Sequence, residues 1–301
     1  MEIIDLNLTK LRKQQDDLIV TIGAFDGIHK GHKAILDTII SKKGDKKTAV
    51  FTFDNHPDYE LEKRYNCGFI NEFFRKTDIF YSFGIDYLYI LPKDVLKKTA
   101  YEFNELLKEL NVKSVVVGRD FIYGANKSGD IETLRKDFNV EVVEDVMHDK
   151  EKISSTRIRN LLSEGKIKEA RELMLYDFII IGDVVEGAHI GEELGYKTAN
   201  IDFDSTYQTI KPGVYKVSVV VHRKKYSGVA NYGINPTCNL LNKPRLEVHI
   251  LNFKKVIYGS TIEVIFEDFI RPEKKFSSRE ELIKQIKKDI KYVKESLWEL
   301  V

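Results

Sequence analysis

Two patterns of apolar residues divide the chain. In the first half, short apolar runs alternate with segments whose apolar positions recur at helical spacing. Residues 18–22 (LIVTI), 48–53 (TAVFTF), 87–91 (YLYIL) and 114–117 (SVVV) predict buried strands. Ala34, Ile35, Leu36, Ile39 and Ile40 predict one helix, and Phe103, Leu106, Leu107 and Leu110 another. Strands separated by helices long enough for crossovers argue for a parallel α/β sheet. Helical patterns at 156–162 and 167–173 are expected to close this domain.

From about Phe178 the pattern changes. Residues 179–185, 214–221, 246–251 and 261–266 read as strands with no helix between them. Turn residues separate them, among them Lys211-Pro212-Gly213 and Asn235-Pro236, and predict an antiparallel barrel or sandwich. A final helix is expected from near Ser277, with Ser277 and Glu280 as a capping box. Its apolar residues Leu282, Ile286, Ile290, Val293 and Leu297 form one stripe that is expected to be buried. The boundary is expected near residues 173–177, giving domains of 1–174 and 175–301.

Composition narrows the possibilities. The 301 residues carry 48 basic and 47 acidic side chains, a net charge of +1. That balance argues against a nucleic-acid surface or a polybasic membrane anchor, both of which need a surplus of one sign. Two cysteines, Cys67 and Cys238, offer neither a disulfide framework nor a thiolate zinc site. The first residues lack the layout of a signal peptide, and no apolar run approaches a bilayer span. The expectation is a soluble cytoplasmic protein.

The strongest local signal is residues 23–32, GAFDGIHKGH, directly after the first strand. Gly23, Gly27 and Gly31 let the backbone turn tightly and approach a ligand. His29 and His32 are three apart and share a face of the next helix's first turn. Amides at that helix end suit phosphate oxygens, and two imidazoles could donate hydrogen bonds to a phosphate during transfer. An ordinary strand–helix turn with two surface histidines is the bland alternative. The glycines and both histidines coincide, however, where open α/β sheets bind ligands. No third ligand of fitting spacing supports a metal there.

This segment resembles the nucleotide-binding signature of the prokaryotic bifunctional riboflavin kinase/FAD synthetases. Residues 51–57 (FTFDNHP) look like that family's second-strand motif. Residues 118–130 (GRDFIYGANKSGD) are similar to its flavin- and ATP-contacting loop, and 153–159 (ISSTRIR) to the adenylyl-transfer signature. The resemblance implies a Rossmann-like α/β nucleotidyltransferase domain that moves an adenylyl group from ATP to FMN, giving FAD and pyrophosphate. It assigns Gly23, Phe25, Asp26, Gly27 and Gly31 to the nucleotide, with His29 and His32 on the ATP phosphates. Ser155, Thr156 and Arg159 would steady the triphosphate. Asn126 would contact FMN and adenine, and Phe53 and Asp120 the flavin. Arg157 reads as a solvated helix face. Lys152 stands where the family is expected to have an arginine, and His56 is read evenly as ligand contact or turn residue.

The second half resembles the riboflavin kinase half of the same family through residues 182–201 (GDVVEGAHIGEELGYKTANI), 211–215 (KPGVY), 228–238 (GVANYGINPTC), 246–251 (LEVHIL) and 269–276 (FIRPEKKF). It implies an antiparallel β-barrel kinase domain with a C-terminal helix, phosphorylating riboflavin to FMN with Mg²⁺-ATP. A neutral hydroxyl is the nucleophile there, so a carboxylate within hydrogen-bond reach helps. Along residues 245–251, Leu246, Val248 and Ile250 face one side, and Arg245, Glu247 and His249 the other. An isolated strand glutamate is usually solvent-exposed; the family match makes Glu247 the expected base. Thr198 and Asn200 match the magnesium and phosphate ligands, and Gly187, Gly191 and Gly195 the phosphate loop. Lys197 replaces the usual proline, Glu192 a basic residue and Glu186 a histidine, which puts the kinase rate and specificity in question.

The leading expectation is therefore a two-activity enzyme acting on riboflavin, FMN and ATP, with no nucleic-acid or membrane partner. One alternative is an FAD synthetase whose kinase half is degenerate. The other is a nucleotide-binding flavin regulator without turnover, which predicts missing catalytic groups in both halves.

Overall fold

The computed structural model describes residues 1–8, 14–54, 68–186, 196–204, 206–234 and 244–298. It divides into two compact units, Met1–Arg157 with Leu173–Leu175, and Ile158–Glu172 with Tyr176–Val301.

The first unit alternates strands and helices as the apolar pattern predicts. In chain order it holds β1 (Glu2–Asp5), β2 (Leu18–Ile22), α1 (Lys30–Lys42), β3 (Lys47–Thr52), α2 (Phe73–Ser82), β4 (Tyr87–Ile90), α3 (Ala100–Glu109) and β5 (Val112–Gly118). The hairpin β6 (Ile122–Tyr123) and β7 (Gly129–Asp130), α4 (Ile131–Arg135) and β8 (Asn139–Val143) follow, then the hairpin β9 (Met147–His148) and β10 (Glu151–Lys152). Six strands form one sheet in the order β1-β4-β3-β2-β5-β8, with every pair parallel. β2 is buried along its whole length, which is why it reads as an unbroken apolar run and not as an alternating one. Connections from β2 step outward through β3 to β4, and the chain then returns to place β5 on the other flank of β2. That reversal opens a crevice beyond the carboxyl ends of β2 and β5.

α5 (Ser155–Glu164) and α6 (Ile167–Leu173) follow. Residues 158–172 group with the second unit, not with the α/β sheet that the helical spacing assigned them to. Ile158 and Leu162 are wholly buried, and Leu162 O accepts a hydrogen bond from Lys211 N.

The barrel comprises β11 (Ile179–Val185), β12 (Ala199–Phe203), β13 (Gly213–Val221), β14 (Lys224–Ile234), β15 (Pro244–Ile250) and β16 (Thr261–Arg271). It closes in the order β11-β12-β15-β14-β13-β16 with antiparallel neighbours throughout. Of the two architectures expected, the barrel is the one formed. β12 and β14 are strands that the apolar pattern did not single out, because polar residues interrupt both. α7 (Arg279–Trp298) closes the unit. Its cap sits one residue later than expected: Ser278 Oγ accepts from Glu281 N, while Ser277 binds the Glu281 carboxylate. Along α7, Val293 is fully buried, but Leu282, Ile286 and Ile290 are only half covered and line a cavity. The Leu297 side chain, both cysteines, His56 and Asn235-Pro236 lie outside the described residues.

Candidate active sites

The crevice at the strand-order reversal holds a cavity of about 310 Å³. Ile22 and Gly23 line it from the end of β2, Gly118, Asp120 and Phe121 from the end of β5, and Ser155 and Thr156 from the start of α5. His29 is the N-cap of α1, an unusual residue for that position. Its Nδ1 accepts from His32 N at 3.2 Å, and His32 Nδ1 accepts from His29 N at 3.4 Å. The rings stack with centroids 3.7 Å apart. An accepting Nδ1 carries no proton, so each neutral ring presents an Nε2–H donor. Burial pushes the His29 pKa down to about 4, against the attraction of Asp26 and with repulsion from Lys152. Burial also holds His32 well below its ordinary value, assisted by His29 and Lys76. At neutral pH the pair is two uncharged donors.

The glycines shape this arrangement more than they expose backbone. A side chain at Gly31 would meet the His29 ring at 3.0 Å, and Gly27, at φ +74°, would drive one to 2.9 Å from Ile70. Asp26 is buried, and its Oδ1 accepts from Ile70 N at 2.9 Å, so the carboxylate holds a neighbouring loop and does not face the cavity. Ser155 Oγ donates to Asp26 O at 2.8 Å, tying α5 to the same turn. Lys152 bridges Asp120 and Asp145, each at 2.8 Å. Burial works against its ammonium, but the two carboxylates outweigh it and raise its pKa, while Lys152 lowers that of Asp120. Arg157 is not a bare solvated arginine: it donates to His148 O and Glu151 O and braces the β9–β10 hairpin.

Gly23, Phe25, His29, Gly31, His32, Asp120, Ser155 and Thr156 thus surround one cavity. Gly27, Phe53, Asn126 and Arg159 do not line it. Phe53 belongs to the apolar core, Asn126 is exposed in a left-handed turn at φ +55°, and Arg159 lies on α5 within the second unit.

On the barrel, alternation along β15 buries Leu246, Val248 and Ile250 in the interior and turns Glu247 and His249 outward. Glu247 pairs in register with Asn200 on β12 and Asn231 on β14. It lines a cavity of about 300 Å³ whose far wall is Leu282, Ile286 and Ile290 of α7. Thr198 and Asn200 line this cavity and also a smaller one of about 80 Å³ bounded by Val256, Ile257 and Tyr258. Thr198 and Asn200 are the residues common to both hollows. Arg245 lies 3.5 Å from Glu247. His249 Nδ1 donates to Lys197 O at 2.8 Å, pinning the backbone where a proline's fixed φ is missing. Gly187, Gly191, Gly195, Glu192 and Glu193 lie outside the described residues, and Glu186 is exposed.

Comparison with known proteins bears on both sites. The FAD synthetase family model matches residues 11–157, and the riboflavin kinase model matches 174–297. The bifunctional riboflavin kinase/FMN adenylyltransferase of Listeria monocytogenes is 34% identical, covering 90% of each chain. That of Buchnera aphidicola (from Schizaphis graminum) is 36% identical over 94% of this chain and 95% of its own. The chain belongs to the bifunctional riboflavin kinase/FMN adenylyltransferase family. A solved Streptococcus pneumoniae chain described as a macrolide-efflux protein superposes with a TM-score of 0.86 at 32% identity, covering 98% of this chain and 99% of that one. No helix among the described residues is long and apolar enough to cross a membrane.

Three features of this family member escaped reading along the chain. Lys76 on α2 is buried beneath the nucleotide-signature turn, its Nζ donating to Ala24 O and Phe53 O at 3.2 Å each. Asp145 joins the cavity through Lys152. Arg271 clasps the buried Asp289 of α7 through Nε and Nη2, at 2.9 to 3.1 Å, and so seats the closing helix on the barrel. A lone lysine amid FFRKTD carries no local mark of burial; the pairing partner supplies it.

Proposed function

We propose a division of labour between two sites in a two-activity transferase. The barrel unit phosphorylates riboflavin to FMN with ATP, and the α/β unit transfers an adenylyl group from ATP to FMN, giving FAD and pyrophosphate. In the barrel, Glu247 accepts the proton of the riboflavin 5′-hydroxyl as its oxygen attacks the γ-phosphorus and ADP leaves. Riboflavin occupies the larger cavity beneath α7, and the ATP phosphates approach through the smaller one, so that the reacting groups meet beside Thr198 and Asn200. A hydroxyl and an amide oxygen suit a hard cation. Among the described residues no group of three or more His, Cys, Asp or Glu forms a cage. Thr198 and Asn200 would hold a Mg²⁺ delivered with ATP through their hydroxyl and amide oxygens. When bound, that ion neutralises phosphate charge.

In the α/β unit no base is required, because the FMN phosphate is already an anion. Its oxygen bonds to the α-phosphorus while the bond to pyrophosphate breaks. The Nε2–H groups of His29 and His32 donate to phosphate oxygens, the turn from Gly23 to Gly31 shapes the floor, and Ser155, Thr156 and Lys152 act from the opposite side. Asp120, which lines the cavity, is the flavin-side residue of this proposal. The proposed setting of both reactions is the cytoplasm.

The observation that carries the reading is the pairing of two cavities, one holding the stacked histidines and the other holding Glu247 beside Thr198 and Asn200. Purified protein given riboflavin and Mg-ATP is expected to form FMN, then FAD with release of pyrophosphate. Failure to form FMN, with supplied FMN still converted to FAD, would remove the kinase assignment.

A further inference from the structure

The turn before α1 contains a backbone outlier. Phe25 has φ +49°, a left-handed conformation that costs free energy for a bulky residue and persists only where its surroundings enforce it. Those surroundings come largely from α2. The Lys76 ammonium and the Thr52 hydroxyl both donate to Ala24 O, the carbonyl of the peptide that leads into Phe25, each at 3.2 Å. A trans peptide is planar, with its N–H opposite its C=O, so holding Ala24 O on Lys76 also aims the Phe25 N–H away from it. Four residues along α2, Phe80 meets the Phe25 ring edge-on at 5.3 Å. On its other side, the Phe25 ring lies 5.0 Å from that of His32, which stacks on His29. A continuous chain of contacts therefore runs from Lys76 and Phe80 through Phe25 to the histidine pair.

Lys76 is a costly group to keep here. Its side chain is 3% exposed, and burial lowers its pKa, with Asp26 and Asp54 partly restoring it. A methionine would pack in the same space without that cost, but it would leave two carbonyls without their charged donor.

We propose that Lys76 is a positioning residue for adenylyl transfer: it holds Phe25 in its left-handed conformation and, through the Phe25 ring, sets His32 and His29 on the phosphates. This rests on the reading that the histidine cavity is the adenylyl-transfer site. The kinase reaction at the barrel provides an internal reference that Lys76 does not touch.

The test is a double-substitution cycle on the full-length protein, with FAD formation from supplied FMN and FMN formation from riboflavin measured separately. Lys76→Met is expected to slow FAD formation at least about tenfold. FMN formation, and the hydrogen-exchange protection of β2 and β3, should stay unchanged. Phe25→Gly loses the ring but adopts positive φ freely. The double variant should therefore be no slower than Phe25→Gly alone. Multiplying penalties, a wild-type rate for Lys76→Met, or lost protection of β2 and β3 would each overturn the proposal. His29→Ala separates the two readings. Full adenylyl transfer in that variant removes the site assignment, whereas its loss beside an unimpaired Lys76→Met removes only the role given to Lys76.

Discussion

Replacing Glu247 by glutamine separates chemistry from scaffolding at the barrel site. Glutamine keeps the size and hydrogen-bonding reach of the side chain between Asn200 and Asn231, and removes only the ability to take a proton. The structural cost is small. Among the described residues Glu247 pairs with Arg245 at 3.5 Å, and the two side chains are 29% and 54% exposed. A pair that open to water contributes less than about 1 kcal/mol. A positioned general base contributes about 10²- to 10⁴-fold, equivalent to about 3–5 kcal/mol of barrier. The expected catalytic loss therefore exceeds anything partial unfolding could cause. Chromatographic separation of riboflavin, FMN and FAD measures each step in one reaction. Glu247→Gln should lower FMN formation at least a hundredfold and leave conversion of supplied FMN to FAD within twofold of wild type. A kinase loss under tenfold would refute the assignment of Glu247 as base. Equal loss of both steps would refute the independence of the sites.

Other expectations follow from buried charge and its partners. The His29 pKa is about 4 in the folded chain, below the ordinary histidine value, so the unfolded chain binds the extra proton first. The stabilisation is present above the unfolded value of about 6.5 and is lost as pH falls toward 4. His29→Asn keeps a capping acceptor without titrating. Denaturant unfolding at pH 7 and 5 should show the wild type losing about 2 kcal/mol more than this variant; parallel losses would contradict the buried neutral imidazole. Asp289→Ala strands the Arg271 guanidinium, a change that costs about 3–5 kcal/mol for a buried pair. Hydrogen exchange along α7 should accelerate and the riboflavin KM rise, with FAD formation from FMN unchanged; a protected helix would sink this account. Lys152→Ala should raise the ATP KM of FAD formation several-fold with little change in melting temperature, since the side chain is 34% exposed and both its partners are carboxylates. An unchanged KM would show that Lys152 serves only Asp120 and Asp145.

Much of the fold was legible from periodicity. β2, β3, β4 and β5 are short apolar runs because both faces of a central parallel strand are covered. β15 alternates because only one face of a barrel strand is. β12 and β14 were less legible: each carries polar residues that face a cavity, such as Asn200 and Asn231, and these interrupt the apolar pattern. The spacing of the stripe on α7 predicts burial, whereas Leu282, Ile286 and Ile290 instead wall the cavity opposite Glu247. Apolar spacing reports which face is covered, not whether protein or ligand covers it.

The histidine motif shows the same division at the level of the site. Chain order alone establishes the residue types, the spacing of three between His29 and His32, and their place after a strand. Folding decides their charge and tautomer, because these depend on burial and on which nitrogen meets a backbone N–H. It likewise decides that Asp26 turns inward to Ile70 and that Arg271 finds Asp289. Lys76, 52 residues from Ala24, comes to support the strained turn in the same way. Local sequence specifies elements through short-range sterics and periodic burial. Buried partnerships such as Arg271 with Asp289 arise only when segments apart in sequence exclude water from the same space, and no short window along the chain contains both members.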